Sequence, residues 1–317
     1  MLVLLAGCGQ KQETLTELSP EVKQARDELG PQGAVAKAKS DAQKQDTADA
    51  WDRLAQSYTL LNEPEKAKEA LETALQRDPN HPRAVIGLTQ IKLRQGEARE
   101  AQKLVRRLLD EEGDGPPTAQ ILAGRALMYQ EKMQEAAELL EHGVEAHPNH
   151  AALSYALGDL YFSQARLEQA ITAYQNAVSK GPQQAVYHRA LVRAYVEADR
   201  LDAAITAAEV ATDRLPDQAD IWFLAGTVYA RANKVAPAIE AYDEALIIEP
   251  NFVPAANNLA VLLADENMQL NRARKLARRA VEQSPKNHAF ADTYGWVLVR
   301  SGEYDKGVQL LRVVYAN

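Results

Sequence analysis

Small and apolar residues recur along most of the chain at spacings of three and four, and short polar turns interrupt this pattern at regular intervals. The stretch that begins at Ala48, "ADAWDRLAQSYTLLNEPEKAKEALETALQRDPNH", shows it well, because the polar turn "LLNEPE" separates two apolar stripes. An apolar stripe with a period near 3.6 residues predicts an amphipathic helix. The pattern therefore predicts pairs of helices joined by short turns.

The helix pair recurs with a period of 34 residues. Similar blocks begin at Ala151 ("AALSYALGDLYFSQARLEQA") and at Ala219 ("ADIWFLAGTVYARANKVAPA"). Tiling the chain in this way predicts repeats at 48–81, 82–115, 117–150, 151–184, 185–218, 219–252, 253–287 and 288–317. A single hairpin cannot bury its apolar face alone, so such a period predicts hairpins that complete one another's core by stacking.

Three positions of the repeat carry a residue type that the packing of a hairpin requires. The twentieth position holds Ala67, Ala101, Ala136, Ala170, Ala204 and Ala238, and Ala273 takes the same place in the seventh repeat, whose turn carries one extra residue. The eighth position holds Gly124, Gly158, Gly226 and Gly295, and Pro148, Pro182, Pro216, Pro250 and Pro285 follow the second helix. Small side chains allow two helices to cross closely, and proline ends a helix. We expect the glycines to lie where backbones approach.

The first block carries its motif at Trp51, Leu54, Tyr58, Ala67, Leu71, Ala74 and Pro79, and it resembles the tetratricopeptide repeat family. This resemblance implies an all-α fold, namely a right-handed superhelical solenoid of about eight helical hairpins. It also implies a concave groove lined by the first helix of each hairpin. The function expected of such a groove is the binding of protein or peptide segments.

In the family, the groove is lined by about the second, fifth, ninth, twelfth and thirteenth positions of each first helix. The residues predicted to bind a partner there are Arg94, Arg125, Tyr129, Tyr155, Phe162, Arg189, Arg193, Phe223, Arg231, Asn257, Trp296 and Arg300. Aromatic residues and arginine often anchor interfaces, so this set suits an extended or helical peptide with acidic and apolar side chains. Asp52 and Gln56 replace the Lys and Asn with which chaperone-binding members of the family hold a terminal carboxylate, which disfavours that ligand.

Composition and motifs exclude several classes of function. The formal net charge of -8 gives no reason to approach nucleic acid, which is bound by clustered Lys and Arg. The sequence lacks a phosphate-binding loop, a nucleophile elbow and a paired-carboxylate arrangement, so we predict no enzyme, no catalytic residue and no cofactor. The histidines of "EHGVEAHPNH" lie mostly at repeat boundaries without zinc-ligand spacing, so we predict no metal site.

The regular pattern breaks at four places. The Gly- and Pro-rich run "LLDEEGDGPPTA" predicts either an ordinary long turn or a joint near residues 111–118. The seventh repeat carries a basic helix that could attract an acidic patch or a lipid phosphate, although a solvated face is the simpler interpretation. The last repeat is incomplete, and residues 8–47 predict a polar tether with degenerate helices ahead of the repeats at 48–317.

The lone cysteine, Cys8, lies in "LAGC", which resembles the lipobox of bacterial lipoproteins. This resemblance implies that Cys8 carries a diacylglycerol anchor and that residues 1–7 are the remnant of a removed signal. Gly9 after the cysteine implies an outer-membrane lipoprotein that faces the periplasm, with the inner membrane as the alternative. The apolar run ahead of Cys8 is shorter than in a complete signal, which suggests that part of the N-terminus is missing.

The closing segment "NNLAVLLADENMQLNRARKLARRAVEQSPKNHAFADTYGWVLVRSGEYDKGVQLL" is similar to the final repeats of lipoproteins from exopolysaccharide and PEP-CTERM export systems. We therefore predict a lipid-anchored periplasmic scaffold that binds proteins during assembly of an envelope or secretion machine, with pilus assembly as another setting. The alternative from a different class is a glycan-binding subunit of a polysaccharide secretion complex.

Overall fold

The computed structural model describes residues 18–315, with side chains to residue 312. This part of the chain is 79% helical, with 17 α-helices and no strand. The helices are α1 (Pro20–Gln45), α2 (Ala48–Leu60), α3 (Pro64–Arg77), α4 (Pro82–Arg94), α5 (Ala98–Val105), α6 (Pro117–Tyr129), α7 (Met133–Ala146), α8 (Ala151–Ser163), α9 (Leu167–Lys180), α10 (Ala185–Glu197), α11 (Leu201–Arg214), α12 (Ala219–Arg231), α13 (Val235–Ile248), α14 (Val253–Asp265), α15 (Leu270–Gln283), α16 (His288–Arg300) and α17 (Tyr304–Tyr315). A 3-10 turn, Arg106–Leu108, extends α5. None of the helices within these bounds is long and apolar enough to cross a bilayer.

Each predicted repeat contains one pair of helices, and the first helix of each pair begins at the predicted boundary. Thus α2 begins at Ala48, α8 at Ala151 and α12 at Ala219. The all-α prediction and the hairpin prediction are confirmed, whereas the right-handed twist of the solenoid stays a prediction.

The described chain divides into two compact units, residues 18–166 and residues 167–315, which we call the N unit and the C unit. In the N unit the first helices α4, α6 and α8 pack in succession, and in the C unit α10, α12, α14 and α16 do the same. The second helices pack mainly against the first helices on either side of them. Each unit is therefore a stack of hairpins in which successive first helices contact one another.

Every hairpin turn uses a left-handed residue at the fifteenth position of the repeat. These residues are Asn62, Gly96, Glu131, Ala165, Asp199, Asn233, Asn267 and Gly302. The next residue donates its backbone N–H to a carbonyl five positions earlier, as in the bonds from Glu63 to Tyr58 (3.0 Å) and from Glu303 to Leu298 (2.9 Å). This is the Schellman pattern, which satisfies carbonyls at the end of the first helix. One geometry thus makes all eight turns.

The predicted glycines at the eighth position lie where the second helix places a large side chain. A Cβ atom on Gly124 would lie 2.8 Å from Leu140, and one on Gly226 would lie 2.6 Å from the ring of Tyr242. All seven alanines predicted at the twentieth position are buried. Close crossing of the two helices in a hairpin is therefore the reason for these small residues.

The segment before the first repeat is a helix with a kink, not only a tether. Gly30 has φ 72° and ψ 172°, and Pro31 follows it, so α1 bends at this point. On either side of the kink, Val22, Ala25, Ala34, Ala38 and Ala42 are buried, and α1 packs against α2. The predicted lipidation site Cys8 and residues 1–7 lie outside the described residues.

The loop at the predicted joint, residues 111–118, is held by several hydrogen bonds. The Asp110 carboxylate accepts the backbone N–H of Asp114 at 2.8 Å, and the Gln120 side-chain amide donates to the carbonyl of Gly113 at 3.0 Å. These contacts favour the ordinary long turn, and the division between the two units falls elsewhere, after residue 166. The joint stays a prediction that proteolysis can test.

Candidate functional site

The first helices α4 and α6 of the N unit carry an exposed aromatic ring and two arginines. Tyr129, the last residue of α6, is 68% exposed. Arg125 precedes it by one helical turn and is half-buried, and Arg94 lies exposed at the last position of α4. Because α4 and α6 pack together, the three side chains belong to neighbouring helices.

Neither arginine side chain has an ion-pair or hydrogen-bond partner among the described residues. Within residues 18–312, Arg94 and Arg125 form no ion pair, and neither side chain donates a hydrogen bond that would fix it. On the next first helix, α8, Tyr155 and Phe162 are half-buried, so each offers part of a ring. This surface therefore combines free guanidinium groups with aromatic area.

The predicted groove positions of the first repeat are covered by the chain's own N-terminal segment. The backbone N–H of Ser19 donates to Gln56 Oε1 at 2.7 Å, and Gln56 donates to Asp52 Oδ2 at 2.6 Å. Arg83 pairs with the same carboxylate at 3.1 Å. Burial raises the pKa of Asp52, and the Arg83 charge opposes this shift only in part. These residues bind the start of α1 and are not open to a partner.

Two of the predicted residues in the C unit hold the helices of adjacent repeats together. Trp296 Nε1 donates to Asp265 Oδ1 at 2.8 Å, and Arg300 Nε donates to the carbonyl of Ala264 at 2.9 Å. The Arg300 guanidinium also lies 5.6 Å from the centre of the Trp296 indole ring. Because Ala264 and Asp265 end α14, this pair caps that helix.

The other predicted arginines of the C unit differ in their ion pairs and in their exposure. Arg189 forms an ion pair with Asp220. Arg193 is half-buried and has contacts of its own. Arg231 is exposed at the end of α12.

Phe223 and Asn257 were predicted to line the groove, and the structure corrects both assignments. Phe223 is 5% exposed, and its ring packs edge-on against Phe252 with centroids 5.5 Å apart. Asn257 is fully buried and donates to Asn258 Oδ1 at 3.4 Å. Both occupy the fifth position of their repeat. A partner on the surface does not reach them.

The motif tyrosine at the eleventh position has a role that the sequence did not reveal. Three of these tyrosines meet the twenty-fifth position of the preceding repeat: Tyr161 with Glu141, Tyr195 with Gln175, and Tyr229 with Glu209. Burial, together with the neighbouring carboxylate, raises the pKa of both Tyr161 and Tyr229 to about 12. The constant spacing of 20 residues between the partners was the available signal. These hydrogen bonds join adjacent repeats.

The histidines serve local structure. His81 Nδ1 accepts the backbone N–H of Ala84 at 3.3 Å, which caps α4, and His142 contacts Asp114 at 2.8 Å beside the long loop. Across the part of the chain that the structure describes, no group of three or more His, Cys, Asp or Glu residues could hold a metal ion.

Several solved structures have a similar fold. The chain matches the structure of the APC/C hetero-tetramer Cut9-Hcn1 with a TM-score of 0.55 and 20% identity, over 76% of this chain and 48% of that one. It is also similar to MamA (TM-score 0.45, 24% identity, 51% of this chain and 95% of that one). YrrB, a TPR protein with an unusual peptide-binding site, matches with a TM-score of 0.46 and 20% identity, over 56% of this chain and 91% of that one. No curated protein matches the chain in sequence.

Family models confirm the repeat assignment from the sequence side. One model described as tetratricopeptide repeat matches residues 58–125, and a second with the same description matches residues 121–185 and 189–251. Together these matches cover more than half of the chain, and each lies on helical hairpins of the structure. The chain therefore belongs to the tetratricopeptide repeat family.

Proposed function

We propose that this protein is a lipid-anchored scaffold that binds segments of partner proteins on its first helices. The setting we propose is the assembly of an envelope or secretion machine of the exopolysaccharide or PEP-CTERM type, or of a pilus. Proteins built from tetratricopeptide repeats are typically non-enzymatic scaffolds, which supports the interaction role.

The observation that carries the binding role is the exposed Tyr129, with Arg125 one helical turn before it and Arg94 at the end of the neighbouring helix α4, both arginines without an ion pair among residues 18–312. Tyrosine and arginine contribute most to binding at protein interfaces because each combines a large contact area with directed hydrogen bonds. An arginine without an internal partner offers its charge to a ligand carboxylate at no cost to the fold. A segment with acidic and apolar side chains suits this surface.

The anchor is proposed from the sequence "LAGC" at Cys8. Several acyl chains on one cysteine bury far more methylene than a single myristoyl chain, at about 0.8 kcal/mol per CH2, so attachment would be stable. Replacing Cys8 by Ser should release the protein from the membrane fraction and remove metabolic labelling by palmitate. Unchanged fractionation of Cys8→Ser would exclude this anchor.

The binding role is tested by placing a photo-crosslinking amino acid at position 129 in cells that produce the protein. We expect adducts with a small set of envelope proteins, and Arg94→Ala combined with Arg125→Ala should reduce them strongly. The matched control is Arg189→Ala, which removes an arginine that already has an internal partner, Asp220. Thermal unfolding of each variant separates loss of binding from loss of fold.

Two results would count against the protein-binding role. Adducts that survive the double arginine substitution unchanged would show that the pair does not recognise the ligand. Adducts that carry only carbohydrate would favour the alternative, a glycan-binding subunit of a polysaccharide secretion complex.

A further inference from the structure

Side-chain contacts connect the second helix α15 of the C unit to α13 and the turn after it, and we call the surface of these two helices the α13–α15 groove. Ile239, Leu246 and Leu276 pack against the core of this unit and remain partly exposed. Arg272, near the start of α15, forms an ion pair with Asp243 in the middle of α13, and Gln283, at the end of α15, donates to Asn251 in the turn after α13 at 3.3 Å. On the α13 rim, Ile247 is 69% exposed.

Helix α15 is strongly basic. It carries five Arg or Lys residues and one acidic residue in 14 positions. Arg272 and Arg274 form ion pairs with Asp243 and Glu303 on neighbouring elements. Lys275 and Arg279 form no ion pair within the described residues, so positive charge is left over on this helix.

Arg279 lies on the side of α15 that faces the groove. It follows Arg272 by two helical turns and precedes Gln283 by one, and both of those residues contact the α13 side. Its Nη2 nitrogen is buried and has no acceptor among the described residues. A buried guanidinium nitrogen without an acceptor is costly. Arg279 as a whole is only half-buried, so a change of its side-chain rotamer would bring the guanidinium to a ligand carboxylate.

We propose that this groove binds a helical segment of a partner protein that carries acidic residues beside apolar ones. The apolar side chains would cover Ile247 and the other partly exposed apolar side chains, and the carboxylates would meet Arg279 and Lys275. This surface consists of second helices and is independent of the first-helix surface around Tyr129. Its basis is charge complementarity: the basic residues form a narrow strip beside an exposed apolar side chain.

A flat anionic bilayer suits this surface less well than a helix. The neighbouring helix α13 carries Glu240, Asp243 and Glu244, and Glu249 follows it directly. A bilayer that covered both helices would meet these acids together with the arginines, whereas a helical ligand can place its carboxylates toward Lys275 and Arg279 and its uncharged side chains toward α13.

The test uses the full chain and two fluorescein-labelled synthetic helices. One peptide carries leucine at every third or fourth position with glutamates on the flanks, and the other has glutamine in place of each glutamate. We expect fluorescence anisotropy at low ionic strength to show about tenfold tighter binding of the glutamate peptide. Lys275→Gln combined with Arg279→Gln should remove this preference and leave the affinity for the glutamine peptide unchanged.

Two further variants control for general charge and for the apolar part of the groove. Arg214→Gln combined with Lys234→Gln makes the same change in net charge elsewhere in the C unit and should keep the preference. Ile247→Ser should weaken the binding of both peptides alike. Circular dichroism of each variant verifies the helical content.

Several results would overturn the proposal. These are equal affinity for the two peptides, a preference that survives Lys275→Gln with Arg279→Gln, or no effect of Ile247→Ser. Binding to phosphatidylglycerol vesicles, lost in the same double variant while the glutamate peptide does not bind, would assign the surface to lipid. Self-association of the chain that the double variant abolishes would assign it to a second copy.

Discussion

Replacing Gly226 by Ala tests how the two helices of one hairpin fit together. An alanine inside a helix is favoured over glycine by about 1 kcal/mol, so propensity alone predicts a more stable protein. The structure predicts the opposite, because the new Cβ would lie 2.6 Å from Cδ1 and 2.7 Å from Cε1 of Tyr242. Both distances are well below the separation of about 3.5 to 4.0 Å that non-bonded carbon atoms prefer.

The Tyr242 ring has little freedom to move away. It is fully buried, its hydroxyl donates to Thr227 Oγ1 at 3.4 Å, and its centroid lies 6.0 Å from that of Phe223. Inserting one methyl group into a packed core costs about 1 to 3 kcal/mol. When the gain of about 1 kcal/mol in helix propensity is subtracted, we expect Gly226→Ala to lower the free energy of unfolding by up to about 2 kcal/mol.

Urea denaturation followed by far-UV circular dichroism measures this change, with calorimetry of the same variants as the test for two-state behaviour. The control within the hairpin is Tyr242→Ala, which removes the ring. In that background Gly226→Ala should stabilise the protein by about 1 kcal/mol, since only the propensity remains. Equal effects of Gly226→Ala in the two backgrounds would refute the steric explanation.

Four other substitutions test separate features of the fold. Ala165 adopts φ 57° at its turn, so Ala165→Gly should raise the free energy of unfolding by about 0.5 to 1 kcal/mol, and a lowered melting temperature would contradict this. Tyr161 and Tyr229 have their pKa raised from the ordinary value of 10.0 to about 12. The folded protein keeps protons that the unfolded chain releases, so this stability is present below pH 10 and is lost as the pH rises through about 12. Phenylalanine at both positions should flatten the decrease in melting temperature with alkaline pH, and an unchanged slope would exclude the tyrosines as its cause. Limited trypsin and Glu-C digestion should spare the loop after α5 in the wild type and cut it faster in Asp110→Ala, whereas rapid cleavage of the wild type would support a hinge. Phe223→Ala should lower the free energy of unfolding by about 3 to 5 kcal/mol, because it deletes a core side chain. Wild-type stability in this variant would show that Phe223 is not part of the core.

The sequence predicted the helices well because each hairpin is specified locally. Apolar spacing, a terminal proline and a small twentieth residue lie within one repeat, and α2 therefore begins where the 34-residue period places it, at Ala48. The turn geometry was missed, because its left-handed residue is Asn62 in one repeat, Glu131 in another and Ala165 in a third. The Schellman hydrogen bonds, not the residue type, impose that conformation.

The candidate site was predicted less well because exposure depends on side chains from other helices. Position in the repeat places Phe223 and Tyr129 on first helices, yet the Phe252 ring packs on Phe223, whereas Tyr129 is 68% exposed among the described residues. The sequence also could not show that the backbone N–H of Ser19 bonds to Gln56 in the first repeat, since the two residues are 37 positions apart. Such contacts arise only when the hairpins stack.

The arginines fall into two groups, those with an ion pair inside the protein and those whose charge is available to a ligand. Acidic residues outnumber basic ones by 44 to 36, so a shortage of carboxylates is no reason for an arginine to remain unpaired. Arg189 and Arg272 pair with acids of neighbouring helices, whereas Arg125 and Arg279 have no such pair within the described residues. An unpaired guanidinium that is half-buried has lost part of its hydration without gaining an acceptor. A ligand carboxylate would supply that acceptor, so binding at both surfaces should weaken as ionic strength rises.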